Sequence, residues 1–417
     1  MMRILLLALA LYLAAQPLWA QETKRTPALR EQVYSQLARA QQQADTGDVA
    51  GGLAILQNVE AKLSSMNSYE RAMLWNFYGY MHYGEDRIDS AIKYFAKVVE
   101  EDPIPLSLRQ NTLFSLAQLA MGQERYDDTL AYLSQWRTNA GVQEQTKADV
   151  LAAQAWYQKA DYDAALAPIS QAIEVAEQTG YAAENWYVLQ RAIYFELGQL
   201  DQVAVVLEKM VKAFNKPEYW VQLAGVYGQL GATEKQLAML EAAYQLGFLN
   251  KGQDILNLAQ SYFLAEIPFK AGSVVQKALD DGILEPNLRT LKLLAQSWVA
   301  AQETERAVAA LKAAAVLSED GELDAQRAHV LLNAEQHEAA IAAAEQALER
   351  GQLNNPGQMY LVIGMARLNL EQFNPALKAF AKAKEFEQAK RLATQWEAYT
   401  QAEQRQAETL KQLRSRS

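Results

Sequence analysis

Small residues recur along the chain at two positions twelve residues apart, and large apolar residues sit at fixed offsets from them. The register is plainest at Trp75, Gly79, Ala91, Phe95, Val98 and Pro103, with gaps of 4, 12, 4, 3 and 5 residues. The later small position runs Gly52, Ala91, Thr129, Ala165, Val203, Gln236, Ala271, Ala307, Ala340 and Ala376, at separations of 33 to 39. The earlier one runs Ala40, Gly79, Ala117, Ala153, Ala224, Ala259, Ala295, Ala328 and Gly364, with Arg191 as the exception. Two helices that cross closely at the small pair account for both spacings, because a bulky side chain there would hold them apart. Large residues then fill the space beside each crossing. Trp156, Tyr194, Tyr227, Tyr262 and Trp298 do so from the first helix. Leu56, Phe95, Leu133, Ile169, Leu207, Leu240, Val275, Leu311 and Phe380 do so from the second.

A helix–turn–helix block with a period of about 34 residues is the signature of the tetratricopeptide repeat (TPR). One such block cannot bury its apolar faces alone, so blocks stack. The expected fold is an all-α TPR solenoid, a right-handed superhelix of about ten units across residues 21–384. Gly47-Asp48, Leu197-Gly198 and Leu230-Gly231 punctuate turns inside units, and Pro103 and Pro105 bracket a link between units. Pro268 suits the first turn of a second helix. No low-complexity linker interrupts the array, which reads as one solenoid. Residues 385–417 form a capping helix and polar tail. Leu392, Trp396 and Tyr399 share one face and are expected to cover the open end, and Lys411, Arg414 and Arg416 make a basic fray.

The first twenty residues read as a secretory signal. Arg3 is the positive lead, Ile4 to Ala15 the apolar stretch, and Pro17-Leu18-Trp19-Ala20 the cleavage region before Gln21. The apolar run falls short of the roughly 20 residues that span a bilayer; an uncleaved N-terminal anchor is the alternative. The chain contains no cysteine, so neither a lipid-anchored cysteine nor a disulfide framework exists. Export without disulfides fits the periplasm of a Gram-negative envelope. Net charge is −10, becoming −11 once Arg3 leaves with the signal, a balance that repels nucleic-acid backbones and anionic lipid.

Catalytic patterns are missing. His82, His329 and His337 are the only histidines, and none belongs to an HExxH string. Ser90-Ala91-Ile92-Lys93 has the S-x-x-K spacing but straddles a helix crossing and lacks its S-D-N and K-T-G companions. Carboxylates such as Glu100-Glu101-Asp102 and Glu319-Asp320 fall in turns and on outer faces, where solvation is expected. The sequence therefore points to a non-enzymatic protein without cofactor, metal or small-molecule substrate, whose partners are proteins.

Binding residues are expected on the first helix of each unit, which lines the inner surface. Gln118, Gln154, Gln260 and Gln296 share one position within Leu-Ala-Gln or Ala-Ala-Gln strings. Glutamine both donates to and accepts from a backbone amide, so such a row can hold an extended peptide without reading its side chains. The plainer reading is a good helix former on a wet face. Asn76 stands where a carboxylate-clamping TPR carries one of its asparagines, but Tyr80 replaces the second, so a free C-terminus is not captured. Trp75, Phe77, Tyr78, Tyr80 and Tyr83 crowd one helix with more rings than one face can bury. Asn185-Trp186-Tyr187 and Tyr219-Trp220 open two later helices. The candidate protein-binding set is thus Asn76, Tyr80, Tyr83, Gln118, Gln154, Asn185, Trp186, Trp220, Gln260 and Gln296.

Several strings carry a more specific likeness. Asn67-Ser68-Tyr69-Glu70-Arg71 leading into Leu74-Trp75-Asn76-Phe77-Tyr78 resembles the TPR protein associated with TonB systems, the TtpC-like family. So do Glu184-Asn185-Trp186, Glu218-Tyr219-Trp220-Val221-Gln222-Leu223, and Glu241-Ala242-Ala243-Tyr244 with Gly247-Phe248-Leu249. Leu258-Ala259-Gln260 through Ile267-Pro268-Phe269-Lys270-Ala271 and Asp281-Gly282-Ile283 extend it over nearly the whole mature chain. The resemblance implies a periplasmic or inner-membrane-attached accessory protein. It would work beside ExbB, ExbD and a TonB protein, which energise outer-membrane uptake of iron–siderophore cargo. It carries no catalytic residues to transfer. The rival reading is an adaptor for envelope assembly, in lipoprotein, peptidoglycan or polysaccharide export.

Overall fold

A computed structural model describes residues 25–138 and 142–416. The signal expected at residues 1–20 lies outside them. The chain divides into two compact units, Met1–Val203 and Ala204–Ser417. In the first, four helix pairs follow one another: α1 (Glu31–Asp45) with α2 (Val49–Glu60), α3 (Ser68–Gly84) with α4 (Ile88–Glu100), α5 (Leu106–Gly122) with α6 (Tyr126–Arg137), and α7 (Val142–Gln158) with α8 (Tyr162–Glu177). Helix α9 (Glu184–Glu196) follows, and the division falls inside α10 (Leu200–Phe214). The second unit stacks α11 (Pro217–Gln229) with α12 (Thr233–Gln245), α13 (Gly252–Leu264) with α14 (Pro268–Asp280), α15 (Leu288–Ala300) with α16 (Thr304–Val316), α17 (Glu322–Asn333) with α18 (His337–Arg350), and α19 (Pro356–Asn369) with α20 (Phe373–Ala383). The long α21 (Glu387–Arg416) closes it.

The first helix of every pair ends in the same way. Five residues before the crossing position of the second helix, one residue takes a left-handed backbone conformation. That residue is Gly47, Gly198 or Gly231 in three pairs, and Asp86, Glu124, Ala160, Glu266, Gln302, Glu335 or Glu371 in the rest, with φ between 56° and 95°. The following residue donates its N–H to the carbonyl five residues earlier, as Arg87 does to His82 at 2.9 Å and Gln336 to Leu331 at 2.9 Å. This is the Schellman closure, which satisfies carbonyls left open at a helix end and turns the chain back on itself. Pro268 opens α14 at its first position, where a missing N–H costs nothing.

The crossings are as tight as the small residues require. A Cβ on Gly52 would meet the Ala40 carbonyl at 2.8 Å, and one on Gly79 would meet the Phe95 ring at 2.5 Å. Thr129 is fully buried and donates its hydroxyl to the Ala117 carbonyl, 3.3 Å away across the same crossing. All nine large residues assigned to the second helix, from Leu56 to Phe380, are buried in the core. On the first helix Tyr227, Tyr262 and Trp298 are buried, while Trp156 and Tyr194 are only half-buried.

Two expectations need correction. Helix α21 caps the last pair, but of the three residues expected to cover it only Trp396 packs there; Leu392 and Tyr399 are 45% and 51% exposed. Ala389, Ala393 and Thr400 are buried instead, with Trp396 stacked on Phe380 at 6.3 Å between centroids. Close helix approach selects small residues here, as it does within each pair. Nor do all carboxylates lie on solvated faces. The Glu70 side chain is fully buried, accepting from Arg30 Nε and Nη2 at 2.6 Å each and from the Asn67 backbone N–H at 3.1 Å. In return the Glu70 N–H donates to Asn67 Oδ1 at 3.0 Å, completing a capping box at the start of α3. Asp324 is likewise buried, between Arg327 and Arg350 at 3.1 and 3.2 Å.

Candidate protein-binding site

Helices α3 and α5 are the first helices of consecutive pairs, and their open faces meet in a pocket of about 400 Å³. Tyr80, Tyr83, Phe95, Ser115, Gln118 and Leu119 line it. Its floor follows from the Gly79 crossing. Without a side chain at position 79, the Phe95 ring seats against the backbone of α3. Tyr80 then stands edge-on over Phe95, with centroids 5.1 Å apart and planes at 81°. Tyr83 lies one turn further along the same face. Both tyrosines are 52% exposed, so each offers an amphipathic ring to the pocket. Gln118 is exposed opposite them, one residue after the Ala117 crossing, as Tyr80 is one residue after Gly79.

Three rings of α3 pack away from the pocket: Trp75, Tyr78 and His82 stack with Tyr94, and the Tyr78–Tyr94 centroids are 4.5 Å apart. Lys97 Nζ sits 4.2 Å from the Trp75 ring centroid. The Tyr78 hydroxyl donates to Glu60 at 2.9 Å, and burial followed by that bond pushes its ionisation well above the usual tyrosine range. Burial and then the Arg87 charge push the His82 ionisation below its ordinary value. The crowded helix therefore resolves into a packed aromatic face and an open one.

Of the other candidates, Asn76 is half-buried and does not line the pocket. Gln154 is half-buried in the equivalent position of α7. Gln260 and Gln296 are exposed on α13 and α15, the first helices of successive pairs in the second unit. Asn185 is exposed and Trp186 half-buried at the start of α9. Trp220 is half-buried and spoken for: its indole N–H donates to Asn215 at 3.0 Å, and its ring meets Phe248 edge-on. Phe95, Ser115 and Leu119 escaped the sequence reading as pocket residues. Ser115 was recoverable, since it precedes Gln118 by one helical turn.

Among the described residues no group of three or more histidine and acidic side chains stands close enough to hold a metal ion. No described helix is long and apolar enough to cross a membrane.

The tetratricopeptide repeat family profile matches residues 72–105, the pair α3–α4 with its flanking link. No curated protein matches the sequence. Among solved structures, YrrB, described as a TPR protein with an unusual peptide-binding site, is 19% identical, covering 46% of this chain and 97% of its own, with a TM-score of 0.36. The MamA protein is 19% identical over 40% of this chain and 90% of its own, with a TM-score of 0.34. The Cut9–Hcn1 tetramer of the APC/C is 12% identical over 88% and 84%, with a TM-score of 0.29. The helix-pair register, the recurrent turn and the matched unit make this chain an all-α TPR solenoid, an architecture that serves as a protein-interaction scaffold.

Proposed function

We propose that this protein is a periplasmic scaffold of a TonB–ExbB–ExbD-type energy-transduction complex that supports outer-membrane iron–siderophore uptake. In this reading the Tyr80–Tyr83–Gln118 pocket holds an extended periplasmic segment of one of those partners. The observation that carries the binding site is the pair of half-exposed tyrosines set beside Gln118 over an aromatic floor. Exposed tyrosines in a groove are typical anchors, and a neighbouring glutamine amide suits a peptide backbone. The choice of partner is supported by the strings from Asn67 to Tyr78, from Glu218 to Leu223 and from Ile267 to Ala271, through their likeness to the TonB-associated TPR family. The periplasmic location is supported by the secretory pattern of residues 1–20 and the absence of cysteine.

Co-purification from detergent-solubilised membranes tests this. The wild-type chain should bring down ExbB-, ExbD- or TonB-like proteins, and Tyr83→Ala with Gln118→Ala should lose them. A tyrosine anchor and one amide hydrogen bond together are worth about 2–4 kcal/mol, roughly a 30- to 1,000-fold loss of affinity. Recovery of lipoprotein, peptidoglycan or polysaccharide export proteins in place of TonB components would replace this reading with the envelope-assembly one.

A further inference from the structure

Helix α21 continues well past the pair it caps. From residue 401 to 413 none of its residues is buried, and a lone stretch of that length is marginal as a helix in water. Yet its apolar residues are not scattered. Leu392, Trp396, Tyr399, Leu410 and Leu413, with the polar pair Glu403 and Gln406 between them, follow alternating steps of 4 and 3, the spacing of a coiled-coil seam. Six of the seven, Leu392 to Leu410, line one open groove of about 810 Å³ together with Leu368 and Phe373. Leu392, Tyr399, Leu410 and Leu413 are 45%, 51%, 47% and 59% exposed, the residues left over once the cap uses Ala389, Ala393 and Thr400. Heptad spacing names the occupant as another helix.

We propose that this occupant is α21 of a second copy of the chain, laid antiparallel. The seam is self-complementary under a half-turn about the point between Gln404 and Arg405. That operation places Tyr399 opposite Leu410 of the other copy, Trp396 opposite Leu413, and Glu403 opposite Gln406. Antiparallel coils pair the two seam positions in this crosswise manner, so each bulky ring meets a leucine and the central carboxylate meets an amide donor. A parallel arrangement would set Glu403 against its own copy, which like charge disfavours. The result is an isologous dimer closed by one helix pair.

Light scattering on the full chain reads the association, and reciprocal substitutions read the register. Wild type should have twice the mass of a single chain at micromolar concentration. Leu410→Glu or Tyr399→Lys alone should weaken the dimer at least about 100-fold, since each places two unpaired charges per dimer in an apolar seam. The double variant sets the new carboxylate opposite the new ammonium and should restore the dimer. Both positions are about half exposed in the single chain, so circular dichroism should show unchanged helix content. The chain has no cysteine, so Glu403→Cys mixed with Gln406→Cys should oxidise to a covalent dimer, whereas Leu392→Cys alone should not. A monomeric wild type, single variants that stay dimeric, a double variant that stays apart, or cross-linking through position 392 would each overturn the proposal.

Discussion

The recurrent left-handed turn makes a sharp prediction, because it lets one substitution change sign with position. Gly231 and Gly225 lie six residues apart in the same unit, and a Cβ on either would meet nothing within 4 Å. Sterics are therefore equal, and only the backbone differs. Gly231 sits at φ +71°, while Gly225 lies in the interior of α11. At Gly231 an alanine would carry the left-handed penalty of about 1–2 kcal/mol, reduced by about 0.4–1 kcal/mol because the unfolded chain also loses freedom. Gly231→Ala should thus cost up to about 1.6 kcal/mol. Gly225→Ala has no such penalty and should stabilise by about 0.5–1 kcal/mol. Glu335→Gly runs the first change backwards at φ +60° and should stabilise by about 0.5–1 kcal/mol. For a unit of this size each kcal/mol moves the melting midpoint by about 2–4 °C, well within reach of thermal unfolding followed by circular dichroism. If Gly231→Ala and Gly225→Ala shift the midpoint in the same direction, the turn conformation is not what limits stability there, and the argument fails.

Other consequences follow from the buried groups and the row of glutamines. Glu70 is held below the usual carboxylate range chiefly by the Arg30 hydrogen bonds, so its contribution is complete above an unfolded value near about 4.3 and is lost as pH falls through the lower folded value. Glu70→Gln should therefore flatten the acid arm of a stability–pH profile; an unchanged acid arm would remove Glu70 from the account. In Gly364→Ala the new Cβ would lie 2.4 Å from the Phe380 ring, which is fully buried and stacked on Trp396. Overpacking of about 1–3 kcal/mol should outweigh the helix gain of about 1 kcal/mol, and Phe380→Leu in the same chain should recover much of the loss. A double-mutant cycle with no coupling would contradict that contact. Replacing Gln118, Gln154, Gln260 and Gln296 together by alanine should leave the melting midpoint nearly unchanged while weakening partner capture about 100-fold or more. A fall in stability would show that these amides hold the fold.

Much of the architecture was legible because burial leaves a periodic record. The residues from Leu56 to Phe380 all went to the core, since a position that fills the same gap in each pair must be large and apolar each time. The pocket was only partly legible. The excess of rings on α3 was plain, but which of them would pack depended on Tyr94 and Lys97, contributed by the neighbouring helix. Trp220 looked free for a partner until Asn215 and Phe248 occupied its edge and face. The capping box at Asn67 and Glu70 was readable from the N-x-x-E spacing, yet the burial of Glu70 was not, because Arg30 reaches it from forty positions away.

The chain alone therefore determined the period, the pairing of helices and the small residues at their crossings, which are local and repeat in every block. Tertiary structure decided what repeats cannot encode. Seven of the ten turns within helix pairs place a non-glycine residue in the left-handed region, because the tertiary crossing holds the backbone there. Helix α21 packs through Ala389, Ala393, Thr400 and the Trp396 ring and leaves Leu392 and Tyr399 largely outside, because small side chains admit the close approach to the last pair. Which face of an amphipathic helix is buried is settled by the surface it meets, and that surface is assembled only when the chain folds.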